Sequence, residues 1–213
     1  MAREINSVEG EATRALLMDT AERLFAVNGV NSTSIRSIND AAGQGAASVH
    51  YHFGSKGALL EAILMRRGGA MMAAITERAD LLLARTAPPS VRELVTTLFE
   101  PHANLIRDDP VGGGYWEQII SQLSLSEDPL LNQLSAQVTH KLDALLERTC
   151  PGVEPGLRKQ RWQIAVLTLI NLLGIHGSRS SAATPDASPS GFMADVEEFV
   201  IAGLEGAMRA ARA

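Results

Sequence analysis

The chain has 213 residues, 46% of them hydrophobic, with 19 Lys or Arg against 24 Asp or Glu and a formal net charge of -5. Such a chain suits a soluble globular protein with one larger core, or a small domain beside a larger one. Cys150 is the single cysteine, which excludes an internal disulfide framework; standing before Pro151 with no cysteine near it, it reads as inert packing rather than a redox sensor. The longest apolar run, Ile164 to Ile175, is interrupted by Thr168 and Asn171 and is shorter than the roughly 20 residues of a membrane crossing. No basic and apolar leader opens the chain, so a cytoplasmic location is expected.

Residues 1 to 10 lack an apolar face and read as a flexible arm. From Glu11 to Asn28, the residues Leu16, Leu17, Ala21, Leu24, Phe25 and Val27 recur at helical spacing, and Asn28-Gly29 supplies a stop. Ser34 to Ala42 reads as a short helix with Ile35, Ile38 and Ala42 on one face, capped by Thr33 or Ser32. Gly43 stands where a tight exit is needed, and Gly45 begins the next segment. In a helix from Ala46 to Phe53, the residues Ala46, Val49 and Phe53 fall on one side and Ala47, Ser48 and Tyr51 on the other, flanked by His50 and His52. Ser55 then caps a further helix with Lys56 in its first turn. Two short helices joined by a glycine turn make a helix-turn-helix, whose second helix fits the DNA major groove.

The outward residues suit that task. Ala47 and Ser48 are small enough for close approach, and Ser48 can exchange a hydrogen bond with a base edge. Tyr51, His50 and His52 can reach phosphate oxygens. A lysine in the first turn is unfavourable for an isolated helix, so Lys56 is expected to meet a phosphate. The expected DNA-contacting set is Thr33, Ser34, Arg36, Gln44, Ala46, Ala47, Ser48, His50, Tyr51, His52 and Lys56. Two histidines two positions apart diverge by roughly 200° around a helix, which argues against a metal site. Residues 1 to 60 carry five Arg or Lys against six Asp or Glu. Binding must therefore come from a local arrangement of Arg36, Lys56, helix N-termini and polar groups, and tight binding is expected only for a dimer on two half-sites.

Residues 12 to 60 resemble the N-terminal domain of the TetR family of transcriptional regulators. The resemblance lies in Ala21, Leu24, Phe25, Gly29, Ser34, Ile35, Ile38, Ala42, Gly43 and the run Val49-His50-Tyr51-His52-Phe53-Gly54-Ser55-Lys56, followed by Leu59. Gln44-Gly45 departs from the family's apolar residue and Ser or Thr, and His50 stands where tyrosine is common. A glycine at 45 removes a side-chain cap and should loosen the start of the recognition helix, while Gln44 adds a polar group near DNA. The resemblance implies an all-α protein: a helix-turn-helix domain, then a helical domain that binds a small effector and dimerises through its last two long helices.

The remaining sequence reads as helices: Lys56 to about Arg85 with a bend at Gly68-Gly69, Val91 to about Ile106 capped by Ser90, Tyr115 to Leu123, Pro129 to Thr149, Glu154 to Ser178 and Phe192 to Ala211. Asp108 to Gly114 reads as a loop, lacking the lysine and spacing of a phosphate loop. A Ser, Ala, Pro and Gly rich segment separates the last two helices. The expected organisation is an arm over 1-10, a DNA-binding domain over 11-60 and an effector-binding and dimerisation domain over 61-213. The dimer seam is expected along Trp162, Ala165, Val166, Leu169, Ile170, Leu173 and Gly174 on one helix, with Val196, Phe199, Val200, Gly203, Leu204 and Ala207 on the other; an intramolecular core is the alternative. Phe99, His102, Tyr115, Trp116, Ile119, Ile120, Leu123 and His140 are the candidates to line an effector cavity, with plain core packing the alternative for each.

No nucleophile and base, or paired acids, are grouped in the sequence, so the chain is not expected to be an enzyme, and no cofactor or metal is expected. The expected function is a repressor released from a double-stranded DNA operator by a small hydrophobic or amphipathic effector. A protein adaptor or an all-helical enzyme using the helix-turn-helix as a docking face is the alternative. The effector, the operator sequence and the regulated genes are not written in the residues.

Overall fold

A computed structural model describes residues 2–180 and 189–211, which form nine helices and no strand. They group into two compact units, Met1–Gly68 and Gly69–Ala213, and the division falls inside one continuous helix.

In the first unit, α1 spans Ala2–Asn28, α2 Ile35–Ala41 and α3 Ser48–Phe53, and α4 spans Lys56–Ala84 across the division. Residues 2 to 10, expected as an arm, continue α1, because Ala2, Arg3, Glu4 and Glu9 are adequate helix formers and no proline interrupts them. Leu17, Ala21 and Phe25 of α1 are fully buried with Ile38 of α2, Val49 of α3, and Leu59 and Ile63 of α4. Each large side chain in this core contributes about 1.5–3 kcal/mol of burial. Leu16 and Val27 lie off that stripe and are exposed. A buried carboxylate ties α1 to α4: Glu22 accepts from Arg66 Nη2 at 2.8 Å and from Arg67 Nε at 2.9 Å, while Arg66 also reaches Asp19 at 2.6 Å. Both oxygens of Glu22 are thereby paired, which is what makes its burial tolerable.

The second unit contains the rest of α4 with α5 Val91–Asp108, α6 Pro110–Leu125, α7 Pro129–Thr149, α8 Pro155–Ser180 and α9 Pro189–Ala210. Ser90 and Glu93 form a reciprocal cap at the start of α5, with Glu93 N donating to Ser90 Oγ at 3.1 Å and Ser90 N donating to Glu93 Oε2 at 2.8 Å. The expected loop at 108 to 114 is a correction. Asp109 accepts from Gly112 N at 2.9 Å, Pro110 supplies the first helical position, and the three glycines form the first turns of α6. A Cβ on Gly113 would stand 2.5 Å from the Leu105 carbonyl oxygen, so Gly113 allows a close α5–α6 approach that a larger residue would disturb. Part of the Ser, Ala, Pro and Gly rich segment before α9 lies outside the described residues. α6 is the central helix of this unit, packed most extensively on α8 and also on α5, and α9 closes against α8 and α5.

Candidate nucleic-acid interface

The helix-turn-helix is built from α2, the Gly43 turn and α3. The cap of α2 is Ser34, not the expected Thr33 or Ser32: Ser37 N donates to Ser34 Oγ at 3.0 Å and Ser34 N donates to Ser37 Oγ at 3.1 Å. Gly43 takes φ +63, the left-handed conformation that lets the chain leave α2 sharply. The recognition helix starts at Ser48 rather than Ala46, and its cap position, Ala47, has no side chain able to bond the helix N–H groups. Asn39 of α2 does that work from across the turn. Its Oδ1 accepts from Val49 N at 3.2 Å and its Nδ2 donates to the Ala46 carbonyl at 2.7 Å, with the residue fully buried. Sequence reasoning missed Asn39, although a polar residue next to Ile38, with no side-chain cap at Gly45 or Ala47, was the available signal.

Val49, fully buried, anchors α3 inward, while Tyr51 is 85% exposed on the opposite face with its ring edge-on to His52 at 5.0 Å. Ala47 and His50 are exposed beside it, and Ser48 and His52 are half-buried. His50 Nδ1 lies 2.9 Å from the Gly54 carbonyl, which can only accept, so Nδ1 carries the proton and Nε2 is left to face outward. Ala46, placed inward by periodicity, is exposed because the chain there has not yet entered the helix. Arg36 is exposed with its guanidinium 3.6 Å from Asp40, and Gln44 is half-buried in the turn with its N–H donating to the Asn39 carbonyl at 2.9 Å.

Two expected contacts are redirected inward. Thr33 is 3% exposed, and its hydroxyl donates to the Gly29 carbonyl at 2.8 Å, closing the end of α1. Lys56 is half-buried, and its ammonium donates to the Val30 carbonyl at 2.7 Å and the Thr33 carbonyl at 2.9 Å. Those acceptors lie in the α1–α2 connection, and they account for a lysine in the first turn of α4 without an external anion.

In the second unit, Phe99 and His102 of α5 and Trp116, Ile119, Ile120 and Leu123 of α6 are all buried, and the His102 and Trp116 rings lie 6.0 Å apart. Tyr115 is half-buried, and His140 is exposed on α7 and does not join them. His102 Nδ1 stands 2.8 Å from Oε1 of Glu117, a fully buried acid that sequence reasoning passed over. Its signal was a lone acidic residue one turn from Gly113 on the inner face of an apolar helix.

The expected dimer stripe is mostly this protomer's own core. Trp162, Ala165, Leu169, Leu173, Val196, Val200 and Leu204 are buried within one chain, and Gly174 faces Ser121 and the Glu117 carbonyl on α6. Val166, Ile170 and Ala207 are half-buried, and only Phe199 and Gly203 of that set are exposed. The reason is that α8 turns its densest apolar stripe toward α6 and α9. A second, outward apolar face remains: Ile164 is 58% exposed, Leu167 42%, Ile175 47% and Phe199 67%. A shallow groove of about 120 Å³ runs along it between α8 and α9, lined by Ile164, Thr168, Phe199 and Gly203.

Among the described residues, no helix is long and apolar enough to cross a membrane. Residues 17–63 match the family of bacterial regulatory proteins, tetR family. Over 161 residues, 68% of this chain and 86% of the other, the sequence is 27% identical to the HTH-type transcriptional repressor Rv1474c of Mycobacterium tuberculosis. The fold is similar to that of the fatty acid degradation regulator FadR from Bacillus halodurans, with a TM-score of 0.58 at 15% identity over 88% of this chain and 94% of that one. It is likewise similar to Mycobacterium smegmatis AmtR, with a TM-score of 0.53 at 22% identity over 91% of each chain. The buried anchor of α3, its outward face and the match over residues 17–63 together identify this segment as a helix-turn-helix similar to that of the tetR family of bacterial regulatory proteins.

Proposed function

We propose that the protein is a homodimeric repressor that leaves its operator when a small hydrophobic or amphipathic effector enters the second unit. The observation that carries the DNA-binding part is the polarity of α3. A six-residue helix is pinned by Val49 and Asn39 on one side and offers Ala47, Ser48, His50 and Tyr51 on the other. Small residues and hydroxyls in that arrangement fit a major groove, with Tyr51 and His50 reaching the backbone oxygens at its edge. Repression is supported by the name of the 27% identical relative. The outward apolar face of α8 and α9 supports a twofold partner, since Phe199 and Ile164 left in water are costly and a second copy covers both at once.

Effector release works through α4, the continuous helix shared by both units. Ligand among α5, α6 and α8 favours a second position of α4, and two recognition helices then no longer match half-sites about 34 Å apart. Genomic-fragment selection with purified protein, followed by fluorescence anisotropy on the selected site, tests the reading. Tyr51→Ala is expected to weaken binding about tenfold, a loss of about 1–2 kcal/mol, while leaving the dimer intact by sedimentation. Equal affinity of wild type and variant for the selected site, or no site enriched at all, defeats it.

A further inference from the structure

Among the described residues two acids are buried, and they are treated differently. Glu22 has arginine on both oxygens. Glu117, with no exposed surface, receives His102 Nδ1 on Oε1 at 2.8 Å, and Oε2 has no hydrogen-bond partner among the described residues. A buried carboxylate with one oxygen bare is unfavourable for the fold, so its retention asks for another purpose. Its surroundings narrow that purpose. Trp116 and Ile120 of α6 and Phe99 of α5 are buried on the same two helices, with the His102 and Trp116 rings 6.0 Å apart. One turn along α6, Ser121 Oγ donates to Asn171 Oδ1 at 2.6 Å, whereas Glu117 Oε2 and, beside it in sequence, Gln118 Nε2 are buried with no hydrogen-bond partner among the described residues.

We propose that Glu117 anchors the effector, and that the effector is an amphipathic cation: an apolar body ending in a protonated nitrogen whose N–H donates to Oε2. This rests on the effector-responsive reading of the second unit. An ionised donor in a dry site makes a charge-assisted hydrogen bond about twice as strong as a neutral hydroxyl makes, and an anion is repelled. α6 is drawn against α5 at Gly113 and against α8 at Gly174, where a Cβ would stand 2.8 Å from Ser121 Cβ. A ligand reaching Oε2 therefore displaces α6 from its neighbours, the first step toward the change in α4 that release requires.

Three probes of equal chain length separate the chemistry: octylammonium, octanol and octanoate, each titrated at neutral pH into the full-length protein and into its complex with the selected operator. Wild type is expected to be stabilised against heat by octylammonium, and to release operator to it, at concentrations about tenfold or more below those needed of octanol or octanoate. Glu117→Gln is expected to erase that preference. The wild-type comparison stands whether or not the variant folds. Octanol or octanoate acting as well as octylammonium, or none of the three acting, overturns the assignment, as does a folded Glu117→Gln protein that keeps the preference. Operator release by octanol or octanoate alone sinks the cation and leaves effector-responsive regulation standing, whereas ligand-free protein that binds no operator sinks that regulation itself.

Discussion

Replacing Asn39 by alanine removes two hydrogen bonds at one stroke, and their fates differ. The Ala46 carbonyl lies on an exposed residue and regains water, whereas Val49 N belongs to a fully buried residue and does not. An unsatisfied buried N–H costs about 1–3 kcal/mol and a lost helix cap about 1 kcal/mol, so the two descriptions of the same loss bracket a local penalty of about 2 kcal/mol. That penalty falls on the first turn of α3, which DNA requires ordered. If docking has to restore it in both protomers, operator affinity falls by about 30-fold for each half-site, up to about 1000-fold for the dimer, while the population of folded dimer barely changes. Amide exchange supplies the independent check, with protection lost at Val49 and kept at Phe25 in α1. An Asn39→Ala protein that binds operator like wild type and still protects the Val49 amide would refute the claim that α2 caps the recognition helix.

Lys56→Ala should lower the denaturation midpoint, a loss of about 2 kcal/mol for two charge-assisted bonds to backbone carbonyls, while leaving the slope of log affinity against log salt unchanged. A slope reduced by about one unit would mean that the ammonium neutralises a phosphate after all. Gly113→Ala places a methyl group against the Leu105 carbonyl and should destabilise the second unit by about 1–3 kcal/mol in urea denaturation, an effect absent at Gly10, where nothing stands near a Cβ. Glu93 is held down from 4.5 to about 2, first by the Ser90 N–H and then by Arg85 and the Ser90 hydroxyl. A depressed acid contributes stability that is complete above pH 4.5 and is lost as pH falls from there toward 2. Ser90→Ala should raise the carboxyl titration seen by NMR and cost about 1 kcal/mol at neutral pH, with the deficit shrinking in acid.

The helix-turn-helix was legible because its signals are local: Gly43 at the turn, Ile38 and Val49 at helical spacing, Ser55 ahead of Lys56. What escaped depended on partners distant in sequence. Lys56 and Thr33 were assigned to DNA because their acceptors, the Val30 and Gly29 carbonyls, are backbone groups that no side-chain pattern reveals. Glycines 112 to 114 read as a loop because composition does not distinguish a flexible turn from a helix that needs closeness to α5. The dimer stripe went to the interior because α8 is apolar on two faces, and periodicity ranks faces without saying which one meets the same chain. Glu117 was hidden among apolar neighbours whose packing role was the natural reading.

The pairing of Arg66 and Arg67 with Glu22 bears on how the protein searches a genome. Those guanidiniums are committed to α1, Lys56 to carbonyls, Arg14 to the Phe53 ring at 4.9 Å, and Arg36 has Asp40 for company. Among the described residues exposed Arg23 has no such partner, but beyond it little positive charge in this unit is left over to hold the molecule on arbitrary chromosome, where attraction is nearly all counterion release. On the repressor reading proposed above, residence on decoy sequence is expected to be short.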